Sequence, residues 1–167
     1  MTVMPIRTLG DPVLREPTKP VDTFDGALRA VSEDMFETMY AAPGVGLAAN
    51  QVGIGRAFFV YDDREGHTGF VANPELSDLD GEDTIEEGCL SIPGPYHDTA
   101  RAVRVRLRGQ DLNGDPVDIA AEGLLARIFQ HETDHLRGML YIDRLDDEGR
   151  RDVMRQLREL EVQRSEG

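Results

Sequence analysis

The chain of 167 residues has one cysteine, Cys89. A single thiol excludes an internal disulfide framework and suits a reducing compartment, so a cytoplasmic location is expected. Basic residues are also few: 18 Lys and Arg stand against 32 Asp and Glu, a formal net charge of −14. That balance excludes broad non-specific nucleic-acid binding, which needs a positive surface. Lys19 is the only lysine, a compositional feature that carries no mechanism. No apolar run approaches the roughly 18 residues of a membrane span. The opening "MTVMPIRTLG" lacks the basic-then-apolar order of a secretory signal. There is no repeat, linker or low-complexity tract, so one domain over residues 1–167 is expected.

What is present reads as alternating short elements. Leu28, Val31, Met35 and Met39 recur at helical spacing between Phe24 and Tyr40, and Pro43 with Gly44 ends that helix. "RAFFVYD" (56–62) and "TGFVANP" (68–74) read as strands joined by a turn at Asp63–Gly66. In "VRVRLRG", Val103, Val105 and Leu107 alternate with Arg104, Arg106 and Arg108, the pattern of a half-buried strand with a solvated arginine face. Asn113 and Gly114 signal a hairpin turn. Residues 122–137 form a helix that Gly138 caps, and a last amphipathic helix runs from about Asp147 to Gln163. Strands set between helices without a regular βαβ alternation predict an α+β fold.

Within "FQHETDHLRG" (129–138), His131 and His135 lie four residues apart and leave one face of a helix, where two imidazoles can grip one ion. Glu132 projects about 100° round from His131, beside that ion. This is His-Glu-x-x-His, in which the glutamate moves protons for a metal-bound water. Leu124, Ile128, His131 and His135 share one stripe, so the histidines sit on the inward face. Cys89, in "EEGCLSIPG", is the candidate third ligand; alone it would read as a small buried hydrophobe. A thiolate with two imidazoles leaves the fourth tetrahedral position open, as a catalytic ion requires. Such a set suits Zn, Fe, Co or Ni. His67 and His97 have no partner spacing and read as surface residues. "GVGLAANQVG" (44–53) contains Gly-x-Gly-x-x-Ala, but it follows a helix and runs toward a strand, the reverse of a dinucleotide fingerprint. Its glycines indicate a backbone that something approaches closely. Gln51 then offers a carboxamide N–H to an oxygen that gains negative charge.

"GVGLAANQ", "EGCLS" and "QHETDH", in this order, resemble the three motifs of the bacterial peptide deformylases, and the short chain with its final helix looks like the type 1 subclass. The resemblance implies mixed or antiparallel sheets packed around a central metal-binding helix, with a C-terminal amphipathic helix. It implies hydrolysis of the formyl group from the formyl-methionine of nascent polypeptides, with release of formate. It further implies ferrous iron held by Cys89, His131 and His135, with Zn2+, Ni2+ or Co2+ able to replace it. Glu132 would shuttle protons, and the Gln51 side chain and Leu90 backbone N–H would hold the oxyanion. The backbone at Gly44, Val45 and Gly46 would pair with the substrate, and Leu124 and Ile128 would line the methionine pocket. Formyl-methionine peptides are the implied partner and the ribosome near the exit tunnel a further one; no membrane and no nucleic-acid specificity are expected. "PGPYH" (93–97) departs from the family pattern, and Arg127 has no assigned role.

A zinc endopeptidase shares His-Glu-x-x-His but usually draws its third ligand from His or Glu. A purely structural metal module does not need Glu132. Glu87, two residues before Cys89, needs a partner if buried. Arg101, which opens the next strand, is the candidate for an ion pair that anchors the Cys89 loop.

Overall fold

The computed structural model describes residues 2–166. Helix α1 (Gly26–Ala41) starts at Asp25, whose carboxylate caps the Leu28 N–H. Strands β1 (Gly46–Ala48), β2 (Phe58–Asp62) and β3 (Thr68–Asp80) follow, then the pair β4 (Asp83–Cys89) and β5 (Ile92–Arg101). Strands β6 (Arg104–Gln110) and β7 (Pro116–Glu122) lead into α2 (Gly123–Leu136), and α3 (Asp147–Glu166) closes the chain. One sheet has five strands in the order β1-β2-β3-β6-β7 and the other has only β4-β5. All these pairings are antiparallel. The fold is therefore α+β, as the element order predicts. Among the described residues no helix is long and apolar enough to cross a membrane.

Strand β2 shows why the helices lie where they do. Successive side chains leave opposite faces of a strand. Phe58 and Val60 join Met35 and Met39 of α1 on one face. Phe59 and Tyr61 join Leu125, Ile128 and Phe129 of α2 on the other. With both faces covered, the strand is apolar throughout. The Phe129 ring lies 6.0 Å from Phe59 and meets Tyr61 edge-on at 5.0 Å. A third cluster, Ile92, Leu140, Tyr141, Ile142, Leu145 and Val153, joins β5 to α3.

The expected elements are recovered with small shifts. β3 runs on to Asp80, past the expected end at Pro74. Val105 and Leu107 are buried, whereas the arginine face of β6 is paired with acids: Arg106 reaches Asp118 at 2.7 Å and Arg104 reaches Asp80 at 2.9 Å. His67 is exposed as expected, but its Nδ1 lies 2.7 Å from Asp63. His97 is half-buried and faces Asp152 across 3.7 Å. Neither partner was visible from spacing, because a turn and the packing of α3 supply them.

Phe129 carries the contact between α2 and the sheet. Replacing it with Ala removes a fully buried ring and is expected to cost about 3–5 kcal/mol, read as a lower midpoint in urea unfolding. A shift below about 1 kcal/mol, the scale of surface changes, would mean that α2 is held elsewhere.

Candidate active site

The site forms where α2 passes between the β4-β5 hairpin and the edge strand β1. One turn of α2 separates His131 from His135, and their Nε2 atoms come within 3.2 Å. Cys89 ends β4, and its Sγ lies 3.3 Å from His135 Nε2. One donor atom from each of the three lies within 4.8 Å of the others, so they face a common point. A soft thiolate with two imidazoles is a donor set for a divalent transition metal. Among the described residues this is the one such cluster.

Glu87 organises the surroundings. Its Oε1 accepts from Arg101 Nε and Arg127 Nη1, each at 3.0 Å. Its Oε2 accepts from Arg101 Nη2 and His131 Nδ1, each at 2.7 Å. Burial pushes the Glu87 carboxyl up, but the His131 and Arg101 bonds outweigh it and hold it well below the usual carboxylate range. Tying up His131 Nδ1 leaves Nε2 to face the ligand cluster, a common outer-shell arrangement. The expected Glu87–Arg101 pair is thus present, bidentate and buried. Arg101 also donates to Asp134 at 2.7 Å, and Arg144 reaches the same carboxylate at 2.7 Å. Arg127 has a place as well: besides Glu87 it donates to the carbonyls of Thr99 and Asp83.

Glu132 is buried, with Oε1 lacking a partner among the described residues. Burial pushes its carboxyl up to about 7. Its other oxygen explains a glycine, since a Cβ on Gly46 would lie 2.5 Å from Oε2. A Cβ on Gly44 would lie 2.8 Å from Leu90 Cδ1. Side chains of this chain are therefore what approaches the glycine-rich backbone. The Val45 carbonyl accepts from Asp62 N–H. Antiparallel alternation then turns the polar groups of Gly46 away from β2, toward the open edge.

Gln51 is buried in the short 3-10 turn after β1 (Ala49–Val52). Its Oε1 accepts from Ala48 N–H at 2.9 Å, and its Nε2 donates to Ser91 Oγ at 3.1 Å and lies 3.8 Å from Cys89 Sγ. The carboxamide is thus oriented with its N–H groups toward Ser91 and Cys89. Leu90 follows Cys89 in the turn between β4 and β5. A cleft of about 730 Å³ brings Gly44, Val45, Gly46, Ile128, His131 and Glu132 to one space. Leu124 also borders it and, at 43% exposure, sits at its mouth. The helix has just begun at Gly123, and the turn before it leaves Leu124 uncovered. Ser91, Asp134 and Arg144 escaped the sequence reading. Ser91 stands inside "EGCLS" and Asp134 inside "QHETDH", whereas nothing in the local pattern marks Arg144.

The comparisons with known proteins converge on one family. Its sequence model, described as polypeptide deformylase, matches residues 3–151. The peptide deformylase of Acidothermus cellulolyticus is 50% identical over 161 residues, covering 96% of this chain and 89% of the relative. The crystal structure of a peptide deformylase from Legionella pneumophila superposes with a TM-score of 0.92 at 40% identity over 99% of both chains. That from Thermotoga maritima does so with a TM-score of 0.84 at 46% identity, covering 87% of this chain and 99% of the other. Likeness of this extent in sequence and backbone leaves one assignment: the chain belongs to the polypeptide deformylase family.

Proposed function

We propose that residues 1–167 act as one catalytic domain that hydrolyses the formamide of formyl-methionine at the start of nascent polypeptides. The products are formate and a free methionine amine. The observation that carries this reading at the level of atoms is the unpartnered Glu132 Oε1 beside the converging Cys89, His131 and His135 donors.

Cys89, His131 and His135 would hold one divalent ion, ferrous in the cell, with Zn2+, Ni2+ or Co2+ fitting the same donors. When bound, it would supply Lewis acidity for the hydrolysis. The protein supplies the rest. Glu132 accepts a proton from the attacking water and passes it to the leaving amine nitrogen. The Gln51 carboxamide and Leu90 N–H donate to the carbonyl oxygen as it gains charge; removing one such donor typically costs on the order of 10²–10³ in kcat. Ser91 fixes the Gln51 carboxamide. The peptide main chain runs past Gly44 and Val45 and pairs with the open edge at Gly46, which recognises backbone and so tolerates many sequences. The methionine side chain enters the apolar space beside Ile128 and Leu124. Substrates of this class place the enzyme in the bacterial cytoplasm, near the ribosomal exit tunnel.

Formate release from a formyl-methionine peptide by iron-loaded protein tests the reading. Internal peptide cleavage instead would favour an endopeptidase, and neither activity would leave a metal-binding module.

Glu132→Ala is expected to retain the metal and lose most turnover, because Glu132 moves protons and is not a ligand. Metal analysis beside formate kinetics checks this; metal lost in proportion to activity would make Glu132 a ligand or a structural support.

Arg101→Ala strips a buried guanidinium from two carboxylates, Glu87 and Asp134. Breaking a buried pair from one side costs about 3–5 kcal/mol. Thermal stability and metal retention are expected to fall together. A melting temperature and metal content equal to the parent's would remove Arg101 from the anchoring role.

A further inference from the structure

The two donors assigned to the oxyanion stand on different parts of the molecule. Gln51 belongs to the turn after β1. Leu90 sits in the turn between β4 and β5, one residue before Ser91. A segment near the start of the chain bonds to both places. Arg7 N–H donates to the Gln51 carbonyl at 2.7 Å, and Leu9 N–H donates to the Ser91 carbonyl at 2.9 Å. Two residues is the repeat at which an extended chain turns its groups to the same side. The Gln51 carboxamide itself reaches Ser91 Oγ at 3.1 Å. These three bonds close a ring that runs from Arg7 through Gln51 and Ser91 to Leu9.

The segment is anchored on both sides of the site. Ile6 packs against the cluster that holds Met35, Met39 and Phe58, and Leu9 against the cluster that holds Ile92, Leu140 and Tyr141. It therefore crosses from the sheet to the hairpin. The Arg7 guanidinium lies over Gly53, which ends the Gln51 turn at φ +86°; a Cβ there would lie 2.8 Å from Arg7 Nη2. Asp11 accepts from Arg7 Nη1 at 3.0 Å. Oxyanion donors act only where they are placed before charge develops. Small displacements at such a centre are costly in rate. Leu90 rides on a two-stranded hairpin, which needs an outside hold to keep its turn in place.

We propose that Arg7 and Leu9 are positioning residues for the hydrolysis: through their main-chain N–H groups they fix the Gln51 and Leu90 donors relative to one another. This rests on the reading of Gln51 and Leu90 given above. Neither residue touches the reacting atoms. The alternative is that the segment only stabilises the fold, with Ile6 and Leu9 covering the two clusters.

The test removes single N–H groups from the full-length, metal-loaded protein. An α-hydroxy acid replaces the amino acid at position 7 or 9, which turns one amide into an ester and keeps the side chain. The same exchange at Thr8 is the control, since its N–H makes no bond among the described residues. The exchange at Leu9 also weakens the Thr8 carbonyl, which accepts from Asp11 N–H, so Arg7 is the cleaner position. With a formyl-methionyl peptide, kcat is expected to fall about three- to ten-fold at Arg7 and at Leu9, the scale of one hydrogen bond. KM and metal content should hold, and the Thr8 ester should match the parent. In a Gln51→Met background the Arg7 effect should vanish, because it acts through Gln51, while the Leu9 effect persists through Leu90. Several results would overturn the proposal: an Arg7 ester no slower than the Thr8 ester, a change in KM alone, an equal loss at Arg7 with and without Gln51, or activity lost in step with metal. A lower melting temperature with kcat unchanged would leave the segment a purely structural role. If the Gln51→Met protein does not fold, Arg7 against Thr8 in the parent decides; if one ester does not fold, the other decides against the same control. Full kcat in Gln51→Met itself would instead remove the oxyanion reading, and this proposal with it.

Discussion

One carboxylate, Glu87, joins the two halves of the active site. The β4-β5 hairpin is the whole of its sheet, and a two-stranded ribbon is marginal in water by itself. It nevertheless carries Cys89. Glu87 ties it to the helix that carries both histidines through Arg101, Arg127 and His131. Burying that charge is favourable only because the acceptor positions are filled by charge-assisted bonds. A lysine at 101 would not serve the same purpose, since it offers no planar fork to hold both oxygens at once.

The remaining functional groups come from the rigid side of the molecule. The five-stranded sheet is covered by α1 on one face and α2 on the other, and β1 at its edge delivers Gln51 and the Gly44–Gly46 backbone. Gly46 is small because Glu132 lies over it, and Gly44 because Leu90 does. Glu132 and the glycine-bearing backbone at the start of β1 are thus in direct contact. The same packing that seats Glu132 dries it, and burial pushes its carboxyl up to about 7.

Much of this was legible in the chain itself. Helical spacing places His131 and His135 on one face whatever the rest of the fold does, and the alternation around Val105 and Leu107 marks a strand with one buried side. The Glu87–Arg101 pair was legible from the need of a buried acid for a partner. The arginine shared between Glu87 and Asp134 was not, because it depends on where α2 passes the hairpin, a tertiary fact. Arg127 was silent in sequence since its acceptors include the backbone carbonyls of Asp83 and Thr99, which no residue type announces. Asp63 and Asp152, the partners of His67 and His97, belong to the same class: contacts that a turn and a distant helix create.

The apolar run of β2 bears on how the chain folds. Ala57 to Tyr61 is apolar without interruption because both faces are covered in the native state, yet in an unfolded chain the same run is rich in β-formers, uncharged and free of proline, the composition of an aggregation-prone segment. Arg56 stands on one side of it and Asp62 and Asp63 on the other. Charges placed this way act as gatekeepers that oppose strand-to-strand association before α1 and α2 arrive. A net charge of −14 adds mutual repulsion between unfolded chains. The surplus of acid, uninformative about the reaction, thus helps keep a strand built for complete burial from finding the wrong partner first.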